Sequence, residues 1–208
     1  MENKTLIDNA IKLCEEYTSS QLLLKSMDLF KITRKNILRK ILFLVIQICL
    51  AYNLSKAVNA IEILKSSIIT LNEVLIALFG IVFTGYALFQ ALIGKKMLIY
   101  MVGNNSKSEK DISYLKESNL YFVKFMLIQF LGITINILLI IILNLLPQYW
   151  SLFSDNNMNV FSSTVIITFI FHYYFEVLWE TKSFVFNVFQ LFNIHAMSRV
   201  IENQNDDE

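Results

Sequence analysis

A polar stripe along the last apolar segment of the chain holds the side chains best suited to chemistry. Its members recur every four residues: Thr164, Thr168, His172, Glu176 and Glu180. Residues four apart share one face of an α-helix, so the spacing predicts a polar seam on a rod otherwise rich in Phe, Ile and Val. A carboxylate inside a bilayer costs roughly 2.5–3.5 kcal/mol and usually faces the bundle interior or water. The seam therefore predicts an ion or proton path, or its gate.

The same residues also allow a purely structural interpretation. Glu176 could pair with His172 on its own helix, and Glu180 could pair with Lys124 at the matching depth of the third apolar segment. In the functional interpretation, Glu180 and Lys124 form a latch at the inner end of the path. A His-x3-Glu pair could also ligate a metal, but no cysteine or second histidine lies nearby in the sequence. We therefore expect neither a metal nor a cofactor.

Four apolar stretches must position this seam. The chain of 208 residues is 55% hydrophobic, with a mean hydropathy of +0.52. A helix needs about 20 mostly apolar residues to cross a bilayer core of roughly 30 Å. The predicted crossings are 38–56, 74–93, 125–146 and 160–180, which makes 38–180 an all-α, four-helix transmembrane domain. The first crossing is the weakest, and charged residues follow it closely. A re-entrant or interfacial element there stays an open alternative.

The distribution of positive charge predicts the orientation of these helices. If all four helices cross, all but two of the eighteen Lys and Arg residues fall on one side, and the exceptions are Lys56 and Lys65. Loops rich in Lys and Arg stay in the cytoplasm. The sequence therefore predicts a multi-pass protein of the cell membrane with both termini in the cytoplasm.

The flanking segments are predicted to be cytoplasmic. Residues 1–37 should form amphipathic and basic juxtamembrane helices, 181–200 should extend the fourth helix, and 201–208 should be a disordered acidic tail. A basic run abuts the first crossing and predicts contact with anionic lipid headgroups. Its members are Lys31, Arg34, Lys35, Arg39 and Lys40. No nucleic-acid-binding motif accompanies this run, so no nucleic-acid partner is expected.

Amide side chains inside the predicted crossings are expected to join the helices. Such groups hydrogen-bond between helices in lipid, for about 0.6 kcal/mol each. The candidates are Gln47, Gln90, Gln129 and Asn136. Gln129 and Asn136 lie seven residues apart, and this spacing predicts a shared face towards the fourth helix.

No motif of an enzyme is present, neither a phosphate-binding loop nor a nucleophile elbow or zinc-protease motif, and we expect no catalytic activity. The layout, with the stretches LFGIVFTGYALFQALIG (78–94) and SFVFNVFQLF (183–192), resembles the small four-helix membrane components of bacterial phage-defence systems. This resemblance implies a bacterial membrane protein encoded beside a soluble sensor or effector. It covers the whole chain in layout alone, and it assigns no role to any residue.

Two functions follow as expectations. The first is an integral membrane subunit that forms or gates an ion pathway in phage defence. It would be a homo-oligomer, because a lone four-helix bundle has no room for a pore. The second is a non-conducting membrane anchor or sensor that recruits a soluble cytoplasmic partner protein through 1–35, 97–119 and 181–200.

Overall fold

The chain is all-α in this computed structural model, which describes residues 2–15, 17–31, 36–106, 112–147, 150–151 and 153–206. No strand occurs within those ranges, and the predicted all-α class is confirmed. A short 3₁₀ turn, Met27–Phe30, follows the second helix. The helices are α1 (Glu2–Leu13), α2 (Ser19–Ser26), α3 (Ile37–Ser55), α4 (Ala60–Leu92), α5 (Lys95–Gly103), α6 (Tyr114–Leu145) and α7 (Asn156–Asp206).

Four of these helices are long and apolar enough to cross a membrane: α3, α4, α6 and the part of α7 from Asn156 to Met197. The protein thus has the helices of a multi-pass membrane protein. Only α3 matches its predicted crossing closely, since α4 begins at Ala60 rather than 74 and α6 at Tyr114 rather than 125. Apolar windows find the centre of a helix, whereas backbone hydrogen bonds continue through polar turns of good helix formers.

The fourth long helix is the most extended element. α7 continues past 180 through the predicted extension 181–200 and onwards to Asp206. It therefore includes 201–206, which the sequence placed in a disordered tail. Residues 207 and 208 lie outside the described residues. At 1.5 Å per residue, α7 is about 76 Å long, more than twice the thickness of a bilayer core.

The chain divides into two compact units. The first unit comprises 1–29, 80–127 and 181–208, and the second comprises 30–79 and 128–180. The helices α4, α6 and α7 each contribute one part to both units.

In the first unit, buried polar side chains fix α1 to its neighbours. Asn9 donates to the carbonyl oxygen of Val102 at 2.8 Å and to Asn105 Oδ1 at 2.9 Å. Lys116, which is buried at the start of α6, forms an ion pair with Glu15 just after α1. The Lys116 ammonium donates to this carboxylate and holds its pKa below the usual value.

An aromatic cluster forms the core of the first unit. Phe89 of α4 stacks on Phe122 of α6 at 5.5 Å between ring centroids, and Phe184 of α7 meets Phe122 edge-on at 5.7 Å. The predicted polar residue Gln90 lies at the edge of this core and donates to Asn119 Oδ1 at 2.8 Å. That hydrogen bond joins α4 to α6.

Candidate functional site

The polar stripe of α7 faces a matching polar column on α3 within the second unit. As the residue number rises on one helix it falls on the other, which is the pattern of antiparallel neighbours. The pairs are Ser55 with Thr164 (3.2 Å), Gln47 with His172 (3.1 Å) and Lys40 with Glu176 (3.0 Å). The four-residue spacing on α7 places the stripe on one face of that helix. The polar residues of α3 recur every seven or eight residues, which is about two helical turns. The seam is thus an interhelical contact.

A buried ion cluster lies at one end of the seam. Glu176 is 3% exposed, and its Oε2 atom lies 3.0 Å from Lys40 Nζ and 3.5 Å from Arg39 Nη2. Lys40 is 6% exposed and also donates to the carbonyl oxygen of Phe30 at 2.8 Å. Two cations thus surround one carboxylate, and the cluster carries an excess positive charge. The attraction between these charges opposes the cost of burying them.

Aromatic rings cover this ion cluster. The Arg39 guanidinium lies 4.3 Å from the centroid of the Trp179 ring, a cation–π contact. Phe43 contacts Phe175 at 4.6 Å and Trp179 at 5.7 Å between ring centroids. These rings place apolar surface beside Arg39, and low-dielectric surroundings strengthen an ion pair.

The middle of the seam contains polar atoms that lack partners. His172 Nδ1 lies 3.1 Å from Gln47 Oε1. Because that oxygen only accepts, Nδ1 carries a proton in this arrangement, and Nε2 can accept when the ring is neutral. Within the described part of the chain, the buried Gln47 Nε2 and Thr168 Oγ1 atoms make no hydrogen bond. Buried polar atoms in proteins usually hydrogen-bond to protein groups or to ordered water.

A groove of about 950 Å³ follows the other half of the seam. Its polar lining residues are Ser55, Lys56, Asn156, Thr164, Thr168 and His172, and its apolar lining residues include Leu44, Ile48, Tyr52, Phe161, Val165 and Phe169. From Asn156 to His172 the groove follows α7 for about 24 Å. It ends at His172, one helical turn from Glu176. The groove and the ion cluster are therefore successive parts of one polar track.

Two of the predicted interhelical amides lie in the core of the second unit. Asn136 of α6 donates to Asn72 Oδ1 of α4 at 3.2 Å and accepts from the hydroxyl of Tyr174 on α7. This chain of hydrogen bonds joins three helices. Gln129 is fully buried, but neither of its amide atoms has a hydrogen-bond partner among the described residues.

The remaining predicted residues have different placements. Lys124 belongs to the first unit and Glu180 to the second, and their latch stays a prediction. Arg34 and Lys35 lie outside the described residues, and Lys31 is exposed.

The structure gives Arg39 and Lys40 a different role from the lipid-headgroup contact that the sequence predicted. Both side chains turn inward and bind Glu176. Glu176 in turn pairs with these cations, and His172, its predicted partner, is bonded to Gln47. The sequence offered one signal for this arrangement: a carboxylate inside a membrane helix requires a nearby cation, and Arg39 and Lys40 begin the first crossing.

Replacing Gln129 with leucine is expected to stabilise the protein by about 1–3 kcal/mol, because the change removes a buried amide without partners. The measurement is thermal unfolding of the purified protein in detergent micelles. The control is Asn136→Leu, which should destabilise because it breaks the bonds to Asn72 and Tyr174. A lower unfolding temperature for Gln129→Leu would contradict this prediction and would indicate a water or ion bound at the amide.

Comparison with known proteins gives no relative: no protein-family model, no curated protein and no solved structure matches the chain.

Proposed function

We propose that the protein is an oligomeric subunit of the cell membrane that gates an ion pathway, with both termini in the cytoplasm. One observation carries this proposal: the groove ends at His172, one turn from the ion cluster of Glu176, Lys40 and Arg39. A gated path needs a polar route and a group that blocks it. Here the groove is the polar route, and the ion cluster is the group that blocks it.

The chemistry of the track supports conduction up to the cluster. Thr164, Thr168 and His172 offer hydroxyl and imidazole groups that exchange hydrogen bonds with water or an ion. The unpartnered amide nitrogen of Gln47 lies beside them. Beyond His172, the ion pairs of Glu176 with Lys40 and Arg39 hold α3 against α7. In this arrangement the track is closed, and separating the charges would open it.

Glu176→Gln is therefore expected to increase depolarisation when it is expressed at the same level as wild type, with a voltage-sensitive dye as the readout. The amide leaves Lys40 and Arg39 without their counter-charge and weakens the closed state. A loss of about 1.4 kcal/mol raises a small open population about tenfold. The matched control is Glu62→Gln, which removes an exposed carboxylate of α4 outside the seam.

His172→Ala removes the polar group at the end of the groove, and we expect it to change the leak that Glu176→Gln produces. An unchanged membrane potential in wild type and both variants, with the native neighbours and the trigger present, would contradict the ion pathway.

We further propose a role in bacterial phage defence, which rests on the resemblance of the layout alone. The same variants test it when cells that carry the protein and its native neighbours are challenged with phage. Glu176→Gln should change the number of plaques relative to wild type, and Glu62→Gln should not. Equal plaque numbers with and without the protein would contradict the role.

The second candidate function is a non-conducting anchor or sensor for a soluble partner protein. Exposed apolar side chains on the amino-terminal helices favour it: Ile7 is 58% exposed, Ile11 65% and Leu24 72%. Deletion of 2–13 would then abolish function, while Glu176→Gln would have no effect. The gated pathway instead predicts that Glu176→Gln changes function. The deletion of 2–13 and Glu176→Gln together therefore distinguish the two functions.

A further inference from the structure

The groove along α3 and α7 changes in polarity from one end to the other. Lys56, at the end of α3, and Asn156 and Asn157, in the first turn of α7, lie towards the same end because the two helices are antiparallel. Deeper in the groove, four apolar lining residues are between 38% and 72% exposed. These are Leu44, Ile48, Val165 and Phe169. The groove thus has a positively charged end above open apolar walls, which is the polarity of an amphiphile.

The polar groups of the deeper part are engaged or covered in the closed arrangement. The Thr164 hydroxyl donates to the carbonyl oxygen of Val160 at 2.7 Å, and His172 Nδ1 is bonded to Gln47 Oε1. The hydroxyl oxygen of Thr168 is buried. Apolar side chains therefore supply most of the surface that a ligand would meet along this part of the groove.

The size of the groove fits a lipid molecule better than a single ion. Its volume of about 950 Å³ lies at the upper end of the range for small-molecule sites, roughly 300–1,000 Å³. It follows α7 for about 24 Å. One leaflet is about 20–22 Å thick, since a bilayer with its headgroups measures roughly 40–45 Å. One lipid, from its headgroup to the end of its chains, therefore matches the groove in length.

The charge at the polar end favours an anionic headgroup. The Lys56 ammonium lies 4.1 Å from the centroid of the Tyr52 ring and makes no ion pair within the described part of the chain. No Asp or Glu is among the described residues that line the groove. Asp155, which precedes α7, accepts from the backbone N–H of Asn157 at 2.9 Å. Because Lys56 has no carboxylate partner there, an anionic headgroup would supply its counter-charge.

We propose that this groove binds one phospholipid with an anionic headgroup, which pairs with Lys56 while an acyl chain lies against Ile48 and Val165. The bilayer itself supplies the lipid, since α3 and α7 are both long and apolar enough to cross it. The inference rests on the proposed function in one respect: the acyl chain covers the polar track and so favours its closed state. Binding of the lipid does not require the groove to conduct.

Titration of lipid into the purified protein in detergent micelles tests the headgroup contact, with the unfolding temperature as the readout. A ligand of the folded state raises this temperature as its concentration rises. Phosphatidylglycerol should reach its half-maximal effect at an about fivefold lower mole fraction than phosphatidylcholine with the same acyl chains, the preference expected for one cation near the surface.

Lys56→Gln should abolish this preference. The matched control is Lys65→Gln, which removes a basic residue of α4 that does not line the groove and should keep the preference. Equal midpoints for the two lipids in the wild type would overturn the proposal. A preference that Lys56→Gln retains, or that Lys65→Gln abolishes equally, would also overturn it.

Val165→Phe tests the position of the acyl chain by filling the groove. Val165 is 38% exposed, so the larger side chain can enter the groove without disturbing the packing of α7. The midpoint for phosphatidylglycerol should rise at least threefold. The control is Ile166→Phe, because Ile166 is exposed on the same helix and does not line the groove. Equal midpoints in these two variants would overturn the proposal.

The lipid site and the gated pathway fail in different measurements. A lipid preference that depends on Lys56, together with an unchanged membrane potential in Glu176→Gln, would reject the gated pathway and retain the lipid site. A changed membrane potential in Glu176→Gln, together with equal midpoints for the two lipids, would reject the lipid site and retain the pathway.

Discussion

Replacing Lys40 with methionine is expected to destabilise the protein by about 3–5 kcal/mol, the usual cost of leaving one member of a buried ion pair without its partner. Glu176 is 3% exposed and would keep only Arg39, at 3.5 Å. The carbonyl oxygen of Phe30 would also lose its donor. Because Arg39 compensates in part, we expect a value near the lower end of this range. Chemical and thermal unfolding in detergent micelles measure it.

A double-mutant cycle isolates the ion pair from other effects of the substitution. Glu176→Met alone leaves the buried Lys40 and the half-buried Arg39 without a counter-charge, whereas Lys40→Met with Glu176→Met removes both sides of the pair. The double variant should therefore cost less than the sum of the single variants, with a coupling of about 0.5–3 kcal/mol. Arg39→Met is the control and should show weaker coupling, because its contact with Glu176 is longer. Additive costs would contradict an energetic coupling between Lys40 and Glu176.

The stripe on α7 could be predicted from the sequence because it depends on local geometry. Thr164, Thr168 and His172 share a face in any α-helix with this sequence. Their partners on α3 could not be predicted in the same way. Arg39 and Glu176 are separated by 137 positions. A single chain contains no local signal that selects this cation over His172.

Contact with lipid headgroups is predicted for Arg39 and Lys40 because their basic run abuts the first crossing. The position of a charge along the chain contains no information about the direction of its side chain. At the first turns of α3, a long basic side chain can reach headgroups or turn towards the neighbouring helix. The buried carboxylate of Glu176 on α7 decides between these alternatives in the folded protein.

Gly132→Ala is expected to destabilise the protein by about 1–3 kcal/mol, as overpacking of a close helix contact does. A Cβ atom at this position would lie 2.7 Å from Tyr173 Cε1 and 3.0 Å from Leu75 Cδ1. The tyrosine ring cannot easily give way, because its hydroxyl donates to the carbonyl oxygen of Ile128 and its ring packs on Phe30 at 5.7 Å. The glycine therefore sets how closely α4, α6 and α7 approach one another in the second unit.

Gly80→Ala is the matched control, since both glycines lie inside long helices and the same methyl group is added. Nothing lies within 4 Å of a Cβ atom at Gly80, so the better helix propensity of alanine should make this variant neutral or more stable by up to about 1 kcal/mol. Unfolding of the monomer in detergent micelles compares the two. A gain of stability in Gly132→Ala that equals the gain in Gly80→Ala would contradict the close contact, because helix propensity would then account for both changes.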